Sequence, residues 1–184
     1  MILDSIPSTP SKFRLDLLMT TEKNENNSNS SAPFNKIFKR DAVRAQMEVK
    51  NWQEAVQIAG QLLVDTGSIE SRYVEAMARV VHDIGPYAVI APGIVFLHAR
   101  PEDGVNELCF GLVTLATPVP FGHSQNDPVD LVFVIGAKDK KSHIQALQSL
   151  AGLLSDTPSL EKLRAGQNDD EVFAVIQSWG DNHQ

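Results

Sequence analysis

Trp52, Ala55, Val56, Ala59, Leu62 and Leu63 recur at helical spacing and Gly67 follows as a stop, which predicts an amphipathic helix. A second helix is predicted from about Ser71 to Ile84. Tyr73, Met77, Val81 and Ile84 share its apolar stripe, Arg72, Glu75, Arg79 and Asp83 face away, and Gly85 and Pro86 end it. The pattern then shortens into apolar runs at 88–90, 94–97, 108–115 and 129–135, each bounded by Gly, Pro, Asn or Asp, and these read as strands. Helical spacing returns with His143, Leu147, Leu150 and Leu154, then in a short helix at Leu160 and Leu163, and in a last one through Val172, Phe173, Ile176 and Trp179. Helices on both sides of the strands in sequence predict an α/β fold, with a sheet sandwiched between helix layers.

The 184 residues and their 42% hydrophobic content suit one domain with appended sequence. The appended part is the N-terminus. Residues 20–33, TTEKNENNSNSSAP, hold no aliphatic side chain larger than Ala32 and Pro33, so they lack the surface to offset their ordering entropy. Residues 1–37 are therefore expected to be a disordered leader and 38–184 the folded domain, and Met19 offers a second translation start. Six basic and four acidic groups in residues 1–40 leave +2, whereas ten against nineteen in residues 41–184 leave −9. This acidity disfavours a nucleic-acid partner, which calls for a basic patch. Cys109 is the single cysteine, so no internal disulfide forms. No apolar run reaches the roughly 20 residues of a membrane span, and the first residues lack a secretory apolar region, so a cytoplasmic protein is expected.

The apolar run 94–97 stops abruptly on His98, followed by Ala99 and Arg100. A strand that delivers an imidazole to the surface places a nucleophile whose ordinary pKa, about 6.5, leaves it neutral near pH 7. The four segments GPYAVIAPG, HARPEDGV, PVPFGHSQNDPVDLV and DKKSHIQALQSLAGLL, in this order, resemble the enzyme IIA component of the bacterial phosphoenolpyruvate-dependent sugar phosphotransferase system. Within the mannitol-fructose superfamily they are most similar to the L-ascorbate-type branch, over about residues 38–180.

The resemblance implies a three-layer α/β/α fold with a mixed central sheet. It implies a phosphotransferase in which a histidine accepts a phosphoryl group from the phosphocarrier HPr and passes it to a cysteine of enzyme IIB. The membrane enzyme IIC then couples the transfer to sugar uptake, with L-ascorbate as one candidate sugar. His98 aligns with the phosphorylated histidine and His143 with the assisting one, although Leu97 stands where the family usually has proline. The arginine of mannitol-type members has no counterpart, since Arg79 falls about a turn early and His82 stands nearest. No cofactor is implied, and a homodimer is left open. The alternative output is a sensor of the same fold, whose phosphorylation state controls a regulator through protein binding; gene neighbourhood separates the two.

Other side chains are weighed on their own chemistry. His143 falls in the first turn of its helix, with Asp139 or Ser142 as N-cap, where the dipole disfavours imidazolium. Arg100 can bind phosphate oxygens bidentately or pair with Glu102 or Asp103. Asp127, in the turn NDPVD, is expected to cap that turn. His123 is expected to be solvated, His82 and His183 to have no specific role, and Cys109 to be a small buried apolar residue. His98, His123, His143 and Asp127 lack the short ligand pairs of a metal site, so no metal is expected. Phe96, Leu97, Val119 and Phe121 are candidates for an apolar docking patch around His98, with a core role as the alternative.

Overall fold

A computed structural model describes residues 34–183. The expected disordered run at 20–33 lies outside the described residues. The elements are α1 (Phe34–Ile37), β1 (Phe38–Met47), α2 (Trp52–Asp65), α3 (Ser71–Ile84), β2 (Val89–Ala91), β3 (Ile94–Leu97), β4 (Cys109–Val119), β5 (Val129–Gly136), α4 (Lys140–Ser155), α5 (Thr157–Ala165) and α6 (Asp169–Asn182). The five strands form one mixed sheet in the order β1-β4-β5-β3-β2. β1 runs parallel to β4 and β3 parallel to β5, whereas the β4–β5 and β2–β3 pairs are antiparallel.

Side-chain alternation along the central strands sends successive residues to opposite faces and so builds two cores. Val95, Leu97, Val113, Val132 and Val134 pack under α2 and α3, together with Ala59, Leu63, Tyr73 and Met77. Ile94, Phe96, Phe110, Leu112, Leu131, Phe133 and Ile135 pack under α4, α5 and α6, together with Leu150, Leu153, Leu163, Val172 and Ile176. Hence the three-layer α/β/α fold. Because both faces of the sheet are covered, these strands read as continuous apolar runs rather than as alternating ones.

Two local features differ from the sequence reading. β1 was not predicted, and Ile37, within the expected leader, is buried beneath α6's layer. Ile84, assigned above to the stripe of α3, is 68% exposed, because the helix ends there and Gly85, at φ +86°, turns the chain away.

Candidate active site

Parity along β3 decides where its end points. Ile94 and Phe96 face the α4 layer, so His98, two residues on, emerges on the same side, and its ring lies 5.6 Å from that of Phe96. β3 and β5 are parallel neighbours, with Leu97 opposite Val134. Their carboxyl ends therefore lie side by side, and α4 starts just after β5. Open α/β sheets generally place their sites at this edge.

His143 sits in the first turn of α4, its ring 5.9 Å from that of His98. Asp139 is the N-cap, and its carboxylate accepts the Ser142 N–H at 2.9 Å. Tyr73, His98, Ala99, Asp139, Lys140 and His143 line a cavity of about 290 Å³. The structure thus brings together two histidines 45 positions apart in sequence, with a lysine beside them.

The tautomer of His98 follows from its partners. Its Nδ1 stands 3.2 Å from the Phe96 carbonyl, which can only accept, so Nδ1 carries the proton. In the neutral ring Nε2 then holds the lone pair, 3.4 Å from the Tyr87 hydroxyl. Burial holds the His98 pKa below the ordinary imidazole value, against the opposing pull of the Phe96 carbonyl. His143 is lowered too, first by burial and then by the positive charge His98 would carry. Both rings are held neutral near pH 7.

Behind His98, Tyr73 ties the loop to the sheet. Its hydroxyl accepts the Ala99 N–H at 3.0 Å and donates to the Ile135 carbonyl at 2.8 Å, and burial pushes its pKa strongly upward. Sequence reading counted Tyr73 as core and passed over Tyr87 and Lys140. Tyr87 stands directly after Gly85–Pro86, a helix stop that delivers its successor to a surface, and this was the available signal.

The remaining expectations fall elsewhere. Arg100 is exposed and is not part of the cavity lining; its backbone N–H donates to Asp103 at 3.2 Å. Asp127 caps its turn as expected, accepting the N–H groups of Phe121, Gly122 and His123 at 3.1, 2.6 and 2.8 Å. His123 is not simply solvated, since its Nδ1 accepts the backbone N–H groups of Gln125 and Asn126. His82 is exposed beside Asp83, His183 stacks on Trp179 at 4.6 Å, and Arg79 reaches Glu75, a turn away on its own helix. Cys109 is buried, with its thiol pushed up to about 12. The docking patch is corrected: Phe96, Leu97, Val119 and Phe121 are all 5% exposed or less, because each fills one of the two cores.

Residues 36–179 match the family of the phosphoenolpyruvate-dependent sugar phosphotransferase system, EIIA 2. The chain belongs to this enzyme IIA family. Its members are phosphotransferase-system carriers, and two histidines meeting in a lined cavity suit that activity. The ascorbate-specific EIIA component of Salmonella typhi is 40% identical over 141 residues, covering 76% of this chain and 92% of that protein. Its counterpart from Escherichia coli K12 is 39% identical over the same shares. Among solved structures, the mannitol-specific cryptic enzyme IIA CmtB of Escherichia coli superposes with a TM-score of 0.72 at 29% identity, covering 79% of this chain and 99% of that one. Enzyme IIAMTL, solved in complex with phosphorylated enzyme IIBMTL from Escherichia coli, gives 0.67 at 27% identity, covering 77% and 99%. Among the described residues of this enzyme IIA, no helix is long and apolar enough to cross a membrane.

Proposed function

We propose that this enzyme IIA carries its phosphoryl group on Nε2 of His98. The carrying observation is the Nδ1–H bond to the Phe96 carbonyl, which leaves the Nε2 lone pair as the nucleophile. The donor is phosphorylated HPr. The lone pair attacks phosphorus, the bond from phosphorus to the donor's leaving atom breaks, and its electron pair returns to the donor. The ring becomes a phosphoimidazolium that keeps its Nδ1 proton, and the Phe96 carbonyl faces the resulting positive charge. In the second transfer a cysteine thiolate of enzyme IIB attacks, and the N–P electron pair returns to His98.

Phosphoryl transfer depends on positioning and on charge stabilisation. His143, neutral and beside His98, is a donor for the transferred oxygens, and Lys140 supplies a cation within the cavity. Arg100 adds a guanidinium at the exposed rim once a partner seats there. The functional domain is residues 38–184, preceded by a leader, and it works in the cytoplasm beside enzyme IIC. The relatives' printed names support L-ascorbate as the sugar taken up. Incubation with phosphoenolpyruvate, enzyme I and HPr should yield an acid-labile, base-stable phosphoprotein. His98→Ala should not label, whereas His143→Ala should label but pass phosphate to enzyme IIB more slowly. Full labelling of His98→Ala would remove the assignment.

A further inference from the structure

We propose that Tyr87 is a catalytic residue of the transfer, its hydroxyl engaging the Nε2 lone pair of unphosphorylated His98 and moving to a phosphoryl oxygen as the N–P bond forms. The proposal rests on, and deepens, the assignment of the phosphoryl group to Nε2. Several independent features place the phenol there. Gly85, at φ +86°, and Pro86 turn the chain off α3 into a short 3-10 turn over Pro86–Ala88. Ala88 and Val89 are buried, and the Asn126 side chain donates to the Val89 carbonyl at 3.1 Å, so the segment is anchored just beyond Tyr87. The Tyr87 ring meets the imidazole edge-on, with centroids 5.9 Å apart and planes at 86°.

The direction of the contact is settled by the other nitrogen. Since Nδ1 carries the ring proton, Nε2 can only accept, and the hydroxyl is the donor. At 3.4 Å this bond is long, so releasing the lone pair for attack costs little. A phosphoryl oxygen is a charged acceptor, and charge-assisted bonds are roughly twice as strong as neutral ones. The hydroxyl therefore gains more from the transition state and the phosphorylated state than it loses from the resting state, which is the condition for a contact to accelerate a reaction. Partial burial raises the phenol's pKa and so keeps its proton in place. The bond changes are those already given, and Tyr87 only redirects a hydrogen bond.

The test uses the full chain with phosphorylated HPr as donor. Tyr87→Phe should still label on His98 with an unchanged KM for HPr. Its transfer rate and its phosphorylated fraction at equilibrium should fall about ten-fold, below the 10²–10³ seen on removing one oxyanion donor, because Lys140 and His143 share the charge. The 15N resonance of Nε2 in the unphosphorylated protein should also move, which loss of mere packing would not require. Wild-type rate, equilibrium and Nε2 resonance in folded Tyr87→Phe would overturn the proposal. Should Tyr87→Phe not fold, 3,5-difluorotyrosine at position 87 keeps the ring and acidifies the hydroxyl. Phosphorylation should then be lost as the fluorinated phenol ionises, and a pH profile matching wild type would overturn the proposal. Failure of the wild-type protein to label on His98 would instead remove the carrier assignment itself.

Discussion

Replacing Tyr73 by Phe isolates what holds the loop after His98. The phenyl ring fills the same space, 1% exposed, so the packing of α3 on the sheet is retained. The hydroxyl's hydrogen bonds vanish, leaving the Ala99 N–H and the Ile135 carbonyl short of a partner and removing the longer, 3.3 Å contact to the Ala99 carbonyl. A buried polar group left unsatisfied costs about 1–3 kcal/mol. The cavity beside Ala99 lets water relieve part of this, so a total loss of about 2–3 kcal/mol is expected. For a domain of this size 1 kcal/mol moves Tm by roughly 2–4 °C, which gives a drop of roughly 4–12 °C. Thermal and urea unfolding followed by circular dichroism would measure it. Transfer from HPr should slow less than about ten-fold, since the Phe96 carbonyl still orients the imidazole. A Tm within about 1 °C of wild type, with an unchanged urea m-value, would refute the claim that the hydroxyl clamps the loop.

The two depressed histidines give a signed pH dependence. Their folded-state pKa values lie below the ordinary 6.5, so the unfolded chain binds more protons as pH falls through that value. Stability is full above it, declines below it and levels off beneath the folded-state values; a His98→Gln/His143→Gln double variant should flatten this slope in urea titrations between about pH 7.5 and 5, and an unchanged slope would count against the buried neutral pair. Ile84 and Ile144, 68% and 38% exposed, stand three positions before Tyr87 and next to His143. As exposed large apolar side chains they are the candidates to test as docking anchors: Ile84→Ser and Ile144→Ser should raise the KM for HPr or enzyme IIB several-fold with stability within about 0.5 kcal/mol of wild type, and unchanged KM values for both partners would move the docking face elsewhere.

The legible part of the fold was that in which burial writes a period into the sequence. α2, α3 and α6 follow their stripes, and β3, β4 and β5 follow their apolar runs. β1 was illegible because Lys39, Arg40, Asp41 and Arg44 break any apolar pattern in an edge strand. Its charges are answered from far along the chain. Arg40 and Arg44 reach Asp169 at 3.6 and 3.5 Å in the first turn of α6, and the same carboxylate accepts the Ala45 N–H at 2.8 Å. Pairing across more than 120 positions leaves no local signal. The docking residues failed for the opposite reason, since an apolar run beside a nucleophile has the same composition whether it faces a partner or a core.

At the site the same contrast holds between chain order and space. His98 was legible as the polar end of an apolar strand, and His143 as a first-turn residue, but nothing in either segment states that they meet. Their meeting needs β3 and β5 to be parallel neighbours, a fact of strand order rather than of sequence period. Leu97 gives this arrangement its rigidity. It stands opposite Val134 and is 1% exposed within the α2–α3 core, so strand pairing and packing both continue to the residue before His98. Proline there would remove a backbone donor and loosen the strand one residue earlier. In this chain the imidazole is thus placed by three constraints that converge within residues 96–99: the packed Leu97, the Phe96 carbonyl on Nδ1, and the Tyr73 hydroxyl on Ala99. Nε2 is left with the lone pair, 3.4 Å from the Tyr87 hydroxyl.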